Sequence, residues 1–314
     1  MSQCIERHEF DAAELCEAEP PRVTHRNKAT LLELAYSKGP ASGRLGFTRW
    51  SKSRPPPRLP ETRARVHVRP GVFPYAESDA STLRWHMNFA DKHLFGYYAG
   101  GLFAQDEIQV AEHPALASLR QRLTALGRPP VTVEQGSPTP ALVTNVERRC
   151  AVDTRGIYGN SFGMASRERV IGATRVLHPP TRSNILAIEA PKLGRGLYTL
   201  GTLESALATA YSGQLALRQE SARIAPAART ELVTGFWGCG AFGGNRVVMI
   251  ALQIVAAHLA ELDDLVFHTV DSGSAEAEEA LALVEECFAP SSELDSGLDA
   301  LLEREYEWGE SDGN

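Results

Sequence analysis

The sequence predicts an α/β protein whose central sheet is covered by helices on both faces. Three observations predict it. Strand-like and helix-like hydrophobic periodicities alternate from about residue 65 onward. A glycine-rich stretch at 235–244 stands between a strand-like run and an apolar helix-like run. The 314 residues, 43% of them hydrophobic, suffice for one large or two small domains, each with a core of its own.

Residues 1–64 read as an irregular arm, because prolines at 20, 21, 40, 55, 56, 57 and 60 interrupt any long helix and leave only Ala29 to Tyr36 as a short one. The domain proper is expected over 65–290. Arg63 to Val68 alternates as a strand, and Leu116, Leu119, Leu123 and Leu126 recur at helical spacing until Gly127, Pro129 and Pro130 stop them. Val131 to Val133, Leu142 to Val146 and Ile185 to Ile188 read as strands, Thr202 opens a helix, and Glu231 to Thr234 is again strand-like. Asn245 suits the N-cap of an apolar helix running to about Leu262. Leu265 to Val270 returns to strand, Ala275 to Phe288 is an amphipathic helix, and 291–314 form an acidic tail.

The net charge of −7 is unevenly spread: from Glu261 to Asn314 there are 17 acidic residues against one basic one, Arg304. That part would repel a nucleic-acid backbone, so no nucleic-acid partner is expected. No apolar run is long enough to span a bilayer and the N-terminus carries no signal-peptide pattern, which points to a cytoplasmic protein without a membrane partner. The five cysteines lie far apart, and His93, His113, His258 and His268 pair with no other ligand at metal-binding spacing, so reduced thiols and no metal are expected.

The segment TGFWGCGAFGGNR, residues 234–246, lets backbone N–H groups turn inward without Cβ obstruction, and the helix after it adds its positive end. Such a loop is either an anion cradle, with phosphate or diphosphate as the natural occupant, or a tight turn that needs glycine for backbone reasons alone. A second constellation is NFADKHLFGYYAGGLFAQDEI, residues 88–108, in which Asp106 and Glu107 follow Gln105 at the start of a helix. Neighbours on a helix point about 100° apart, so the two carboxylates would address different parts of a ligand.

Both segments resemble the poly(ADP-ribose) glycohydrolase family. TGFWGCGAFGG is similar to that family's TGNWGCGAFGG, departing only at Phe236, and residues 89–107 can be laid without a gap on FANxxxGGGxxxxGLxQEE. The resemblance implies a macrodomain-like three-layer α/β/α fold with a central mixed sheet, to which the irregular N-terminal arm is added. It implies that Gly238, Cys239, Gly240, Ala241, Phe242 and Gly243 hold the diphosphate of ADP-ribose, that Glu107 is the catalytic glutamate with Asp106 beside it, and that Gln105 completes the motif. Asp91 falls where the family has an asparagine orienting the ribose. Gly96 is the surviving middle glycine of the triple glycine, where Phe95 and Tyr97 are expected to narrow the groove. Tyr158 and Phe162 are candidates for stacking on adenine, with core packing as the equal alternative.

The expected activity is that of an ADP-ribosyl glycohydrolase, with no cofactor, acting on a modified protein or a small NAD-derived molecule rather than on long polymer. The alternative is a reader that binds ADP-ribose without cleaving it.

Overall fold

The computed structural model describes residues 2–190, 194–270, 273–311 and 313. In chain order the elements are β1 (Cys4–Asp11), α1 (Ala12–Ala18), α2 (Arg26–Tyr36), β2 (Arg44–Trp50), β3 (Arg65–Arg69), β4 (Thr82–Ala90), α3 (Gln105–Glu112), α4 (Ala115–Ala125), β5 (Val133–Glu134), β6 (Ser137–Pro138) and β7 (Ala141–Val152). There follow α5 (Ser161–Met164), α6 (Arg167–Ala173), β8 (Thr174–Glu189), α7 (Leu200–Ile224), β9 (Arg229–Thr234), α8 (Arg246–Leu259), β10 (Asp264–His268), α9 (Ser274–Cys287) and α10 (Leu294–Leu302).

Eight strands form a mixed sheet in the order β1-β2-β7-β8-β4-β9-β10-β3. The pairs from β8 through β4, β9 and β10 to β3 are parallel, and those from β1 through β2 and β7 to β8 are antiparallel. Central strands bury both faces and so alternate between two cores rather than between core and water. Trp85 and Met87 of β4, with Leu186 and Ile188 of β8, face the core built by α7, α8, α9 and α10. Ala90 of β4, with Ile185 and Ala187 of β8, faces the core built with α1, α3 and α4. The result is the expected three-layer, macrodomain-like α/β/α arrangement with a mixed central sheet. Helix α8 is apolar on every side because it lies deep in the first core, and Asn245 caps it as expected by accepting from Val248 N at 3.3 Å.

The N-terminal arm is an addition to this core, as expected, but it is not irregular. β1 and β2 extend the sheet, and α1 and α2 pack beside the second core. Little hydrophobic alternation marks β1, because its side chains are held by charge: Arg7 makes a two-pronged contact with Glu220 at 2.7 Å, and Glu6 pairs with Arg49. The proline-rich stretch lies beyond β2, where an extended chain bonds Ser53 N to Ser212 Oγ and Leu59 N to Ser292 O. At the other end, α10 buries Leu294, Leu298 and Leu301, so the acidic C-terminal stretch has an apolar anchor.

The even-numbered face of β4 also buries His86, packed 4.7 Å from the ring of Tyr75, and burial pushes its pKa down to about 3. Below the unfolded value of about 6.5 the unfolded chain takes up a proton that the folded chain refuses. This group's contribution is therefore complete above pH 6.5 and is lost as pH falls toward 3. Relative to His86→Leu, the wild type should lose about 1.4 kcal/mol per pH unit below 6.5, whereas urea unfolding should give a constant difference above pH 7.

Candidate active site

The two motifs follow the carboxyl ends of two neighbouring parallel strands, β4 and β9. Val233 of β9 pairs with His86 of β4 and Thr234 ends β9, so Gly235 is the first residue to leave the sheet. The loop 235–245 then joins β9 to α8, a strand-to-helix turn as expected. Trp237 anchors it: the indole is fully buried and its Nε1 donates to Ile188 O of β8 at 3.2 Å. Gly238 has φ +78, and a Cβ there would stand 2.6 Å from the Ala190 Cβ, so this position requires glycine for its conformation and its close approach. Gly244 N bonds Gly238 O and Gly243 N bonds Gly240 O, closing a compact turn. Cys239 is pushed up to about 12 by burial and stays a thiol, while Ala241 and Phe242 are half-buried. The C-terminal chain lies against this loop, with Ser311 Oγ donating to Ala241 O at 2.8 Å and Trp308 stacked on Tyr198 at 4.5 Å.

Helix α3 is pinned to β4 by Gln105, whose amide acts as a strand would. Its Oε1 accepts from Phe89 N at 2.8 Å and its Nε2 donates to Met87 O at 3.0 Å. Asp106 and Glu107 are both buried in the first turn. Asn88 Nδ2 donates to Asp106 Oδ1 at 2.9 Å, and Ala104 N donates to Glu107 Oε2 at 3.0 Å. Burial raises the pKa of both carboxyls, and the charge of Glu107 raises Asp106 further. Asp91, half-buried, accepts from His93 N at 3.0 Å, and its charge also raises Asp106. The motif thus forms one charged cluster around the start of α3.

One aromatic expectation changes. Phe95 takes φ +52 and is fully buried with Leu94, Val110 and Leu116, so it fills the core and does not narrow a groove. Burial of a large ring offsets a left-handed backbone that costs on the order of 1 kcal/mol. Gly96 sits in the same tight turn, where a Cβ would stand 2.8 Å from His93 O, and Tyr97 beyond it is exposed. Phe162 takes the packed of its two open roles: it is fully buried and stacked 4.1 Å from Phe103, whereas Tyr158 is exposed.

Two residues near the carboxylates escaped sequence reasoning. Asn88 opens the 88–108 segment, yet only the fold shows that it holds Asp106. Lys28, on α2, is buried with its charge acting on both Glu107 and Asp106. One signal was legible: Lys28, Leu31 and Ala35 share one helical stripe, so the lysine stands in the apolar face of its helix. Elsewhere, a cavity of about 570 Å³ opens near the opposite edge of the sheet, but Arg7, Arg44 and Arg182 in its wall already pair with glutamates. Among the described residues no group of three or more His, Cys, Asp or Glu side chains could hold a metal ion, and no helix is long and apolar enough to cross a membrane.

The family described as poly(ADP-ribose) glycohydrolase (PARG), macro domain fold, matches residues 76–277. The chain belongs to this family. The match spans every site residue expected from the sequence, and Lys28 and the C-terminal segment lie outside it. Among solved structures, the chain is similar to the poly(ADP-ribose) glycohydrolase of Thermomonospora curvata bound to the inhibitor ADP-HPD, at 17% identity and a TM-score of 0.45, over 86% of this chain and 96% of that one. The enzyme of Deinococcus radiodurans in complex with ADP-ribose is similar at 14% identity and a TM-score of 0.43, over 89% of this chain and 93% of that one. A search of curated proteins found no match.

Proposed function

We propose that this chain is an ADP-ribosyl glycohydrolase. The observation that carries the reading is a buried carboxyl pair, Asp106 and Glu107, at the start of a helix whose neighbouring strand edge also bears the glycine-rich loop. A ribose glycosidic bond breaks through an oxocarbenium-like transition state, which needs a proton for the leaving atom and then a base for water. Glu107 does both in turn: it donates its proton as the bond breaks and takes one from the attacking water. A carboxyl that must hold a proton near neutrality needs a raised pKa, and burial acts on Glu107 in that direction. Asp106, fixed by Asn88, orients ribose hydroxyls. The diphosphate rests on residues 238–242 of the loop, since Gly243 is covered by the C-terminal chain and its N–H is bonded to Gly240 O, and it holds the ribose in place, so binding energy remote from the bond serves the chemistry.

The substrate carries a single ADP-ribosyl group, on a protein or a small molecule. With Phe95 turned into the core, this preference is supported by the C-terminal chain, which already covers Gly243: a Cβ there would stand 3.0 Å from Gly309 O.

Calorimetry with ADP-ribose tests the loop. The wild type should bind at about micromolar strength or better, and Gly240→Val should weaken binding at least about tenfold, because a branched side chain restricts the turn and blocks backbone approach. Undiminished affinity in the folded variant would make the loop a structural turn only.

A further inference from the structure

We propose that Lys28 is a positioning residue of this site: a buried cation, supplied by α2 from outside the family match, that braces the loop leading into α3 and balances the charge of Asp106 and Glu107. The proposal deepens the glycohydrolase reading and rests on it for its consequence in turnover.

A lysine only 2% exposed is rare, because taking an ammonium out of water is costly unless charge or hydrogen bonds replace the water. The Lys28 Nζ donates to Tyr98 O at 3.0 Å. It also lies 5.2 Å from the centroid of Phe103 and 5.8 Å from that of Phe162, within the range of cation–π attraction. Tyr98 and Phe103 delimit the loop that delivers Ala104, the residue whose N–H holds Glu107. Desolvation pushes Lys28 down to about 8, opposed first by the charge of Glu107 and then by that of Asp106. The other charged or titratable groups around the pair are Asp91 after β4, Arg120 on α4, Tyr97 and Tyr98 on the loop, and His25 at the start of α2. Arg120 donates to the carbonyls of Leu94 and Pro130, which leaves Lys28 as the cation acting on Glu107.

Two carboxyls and one ammonium in a dry site resist a net charge. Within that triad the neutral arrangement keeps Lys28 charged, one carboxylate ionised and one proton on the other. The two carboxyls share that proton, and Glu107 draws on it when it acts as the general acid. Without the cation both carboxyls would hold their protons more tightly, and Glu107 would be a weaker acid toward the leaving atom.

The test is a carbon-13 NMR titration of the full-length chain, following the Glu107 carboxyl in wild type and in Lys28→Met, and the Lys28 ε-carbon in wild type and in Glu107→Gln. Removing the cation should raise the Glu107 midpoint by at least about one pH unit, and removing the carboxylate should lower the Lys28 midpoint by a similar amount, since one coupling is read from both ends. The alkaline limb of turnover should move up with Glu107 in Lys28→Met. A protein in which Lys28 only packs would leave these midpoints in place, and unchanged midpoints overturn the proposal. If Lys28→Met does not fold, the Glu107→Gln titration decides alone. The titrations decide the role of Lys28 and ADP-ribose release decides the glycohydrolase reading, so the two fail separately.

Discussion

Glu107→Gln should bind ADP-ribose nearly as the wild type does and release it from ADP-ribosylated substrate at least about a hundredfold more slowly, the usual scale for losing a general acid and base. Glutamine keeps the size of the side chain and still accepts from Ala104 N, so α3 should start as before. It can neither donate a carboxylic proton nor take one from water. Asp106→Asn should be milder, because an amide in that place still orients ribose hydroxyls while changing its bond to Asn88. Steady-state turnover with calorimetry on the same preparations separates the two effects. Unaltered turnover in Glu107→Gln would remove this residue from the mechanism.

Trp237→Ala should lower stability by about 3–5 kcal/mol, the scale for deleting a large buried aromatic side chain. The indole is fully buried in the main core and ties the loop to Ile188 O, so its loss opens a cavity under the turn as well as breaking a hydrogen bond. ADP-ribose affinity should fall in parallel, since the turn from Gly238 to Gly244 would lose its anchor to β8. Trp237→Phe should keep most of the packing and lose about 1 kcal/mol for the unmade bond. Urea unfolding of both variants checks the order, and equal stability of Trp237→Ala and wild type would show that the loop is held elsewhere.

The parts of this molecule that were legible in its sequence are those in which local pattern and tertiary role coincide. The strand-like run ending at Thr234, the glycines after it and the Asn245 cap all serve one strand-to-helix turn, so each signal supports the others. Gln105, Asp106 and Glu107 were visible as a motif, and the structure adds how Gln105 ties the helix to β4. The N-terminal strands were not legible, because β1 lies at a sheet edge and its side chains are fixed by ion pairs to distant residues such as Glu220. Phe95 could not be read either. Its resemblance to a glycine position said that the turn is tight, whereas the direction of the ring is set by a left-handed backbone that only the fold reveals. Lys28 lay in the segment set aside as an arm, and its apolar stripe gave no hint that two carboxyls from α3 would meet it.

The claim that this chain cleaves ADP-ribosyl bonds is tested most directly by incubating the wild-type chain with a protein carrying single ADP-ribosyl groups and, separately, with long poly(ADP-ribose), and measuring free ADP-ribose over time. The account predicts steady release from the singly modified protein, slower release from polymer, and release near background with Glu107→Gln. Absence of release from either substrate by a wild-type chain that binds ADP-ribose would contradict it and leave a reader in its place.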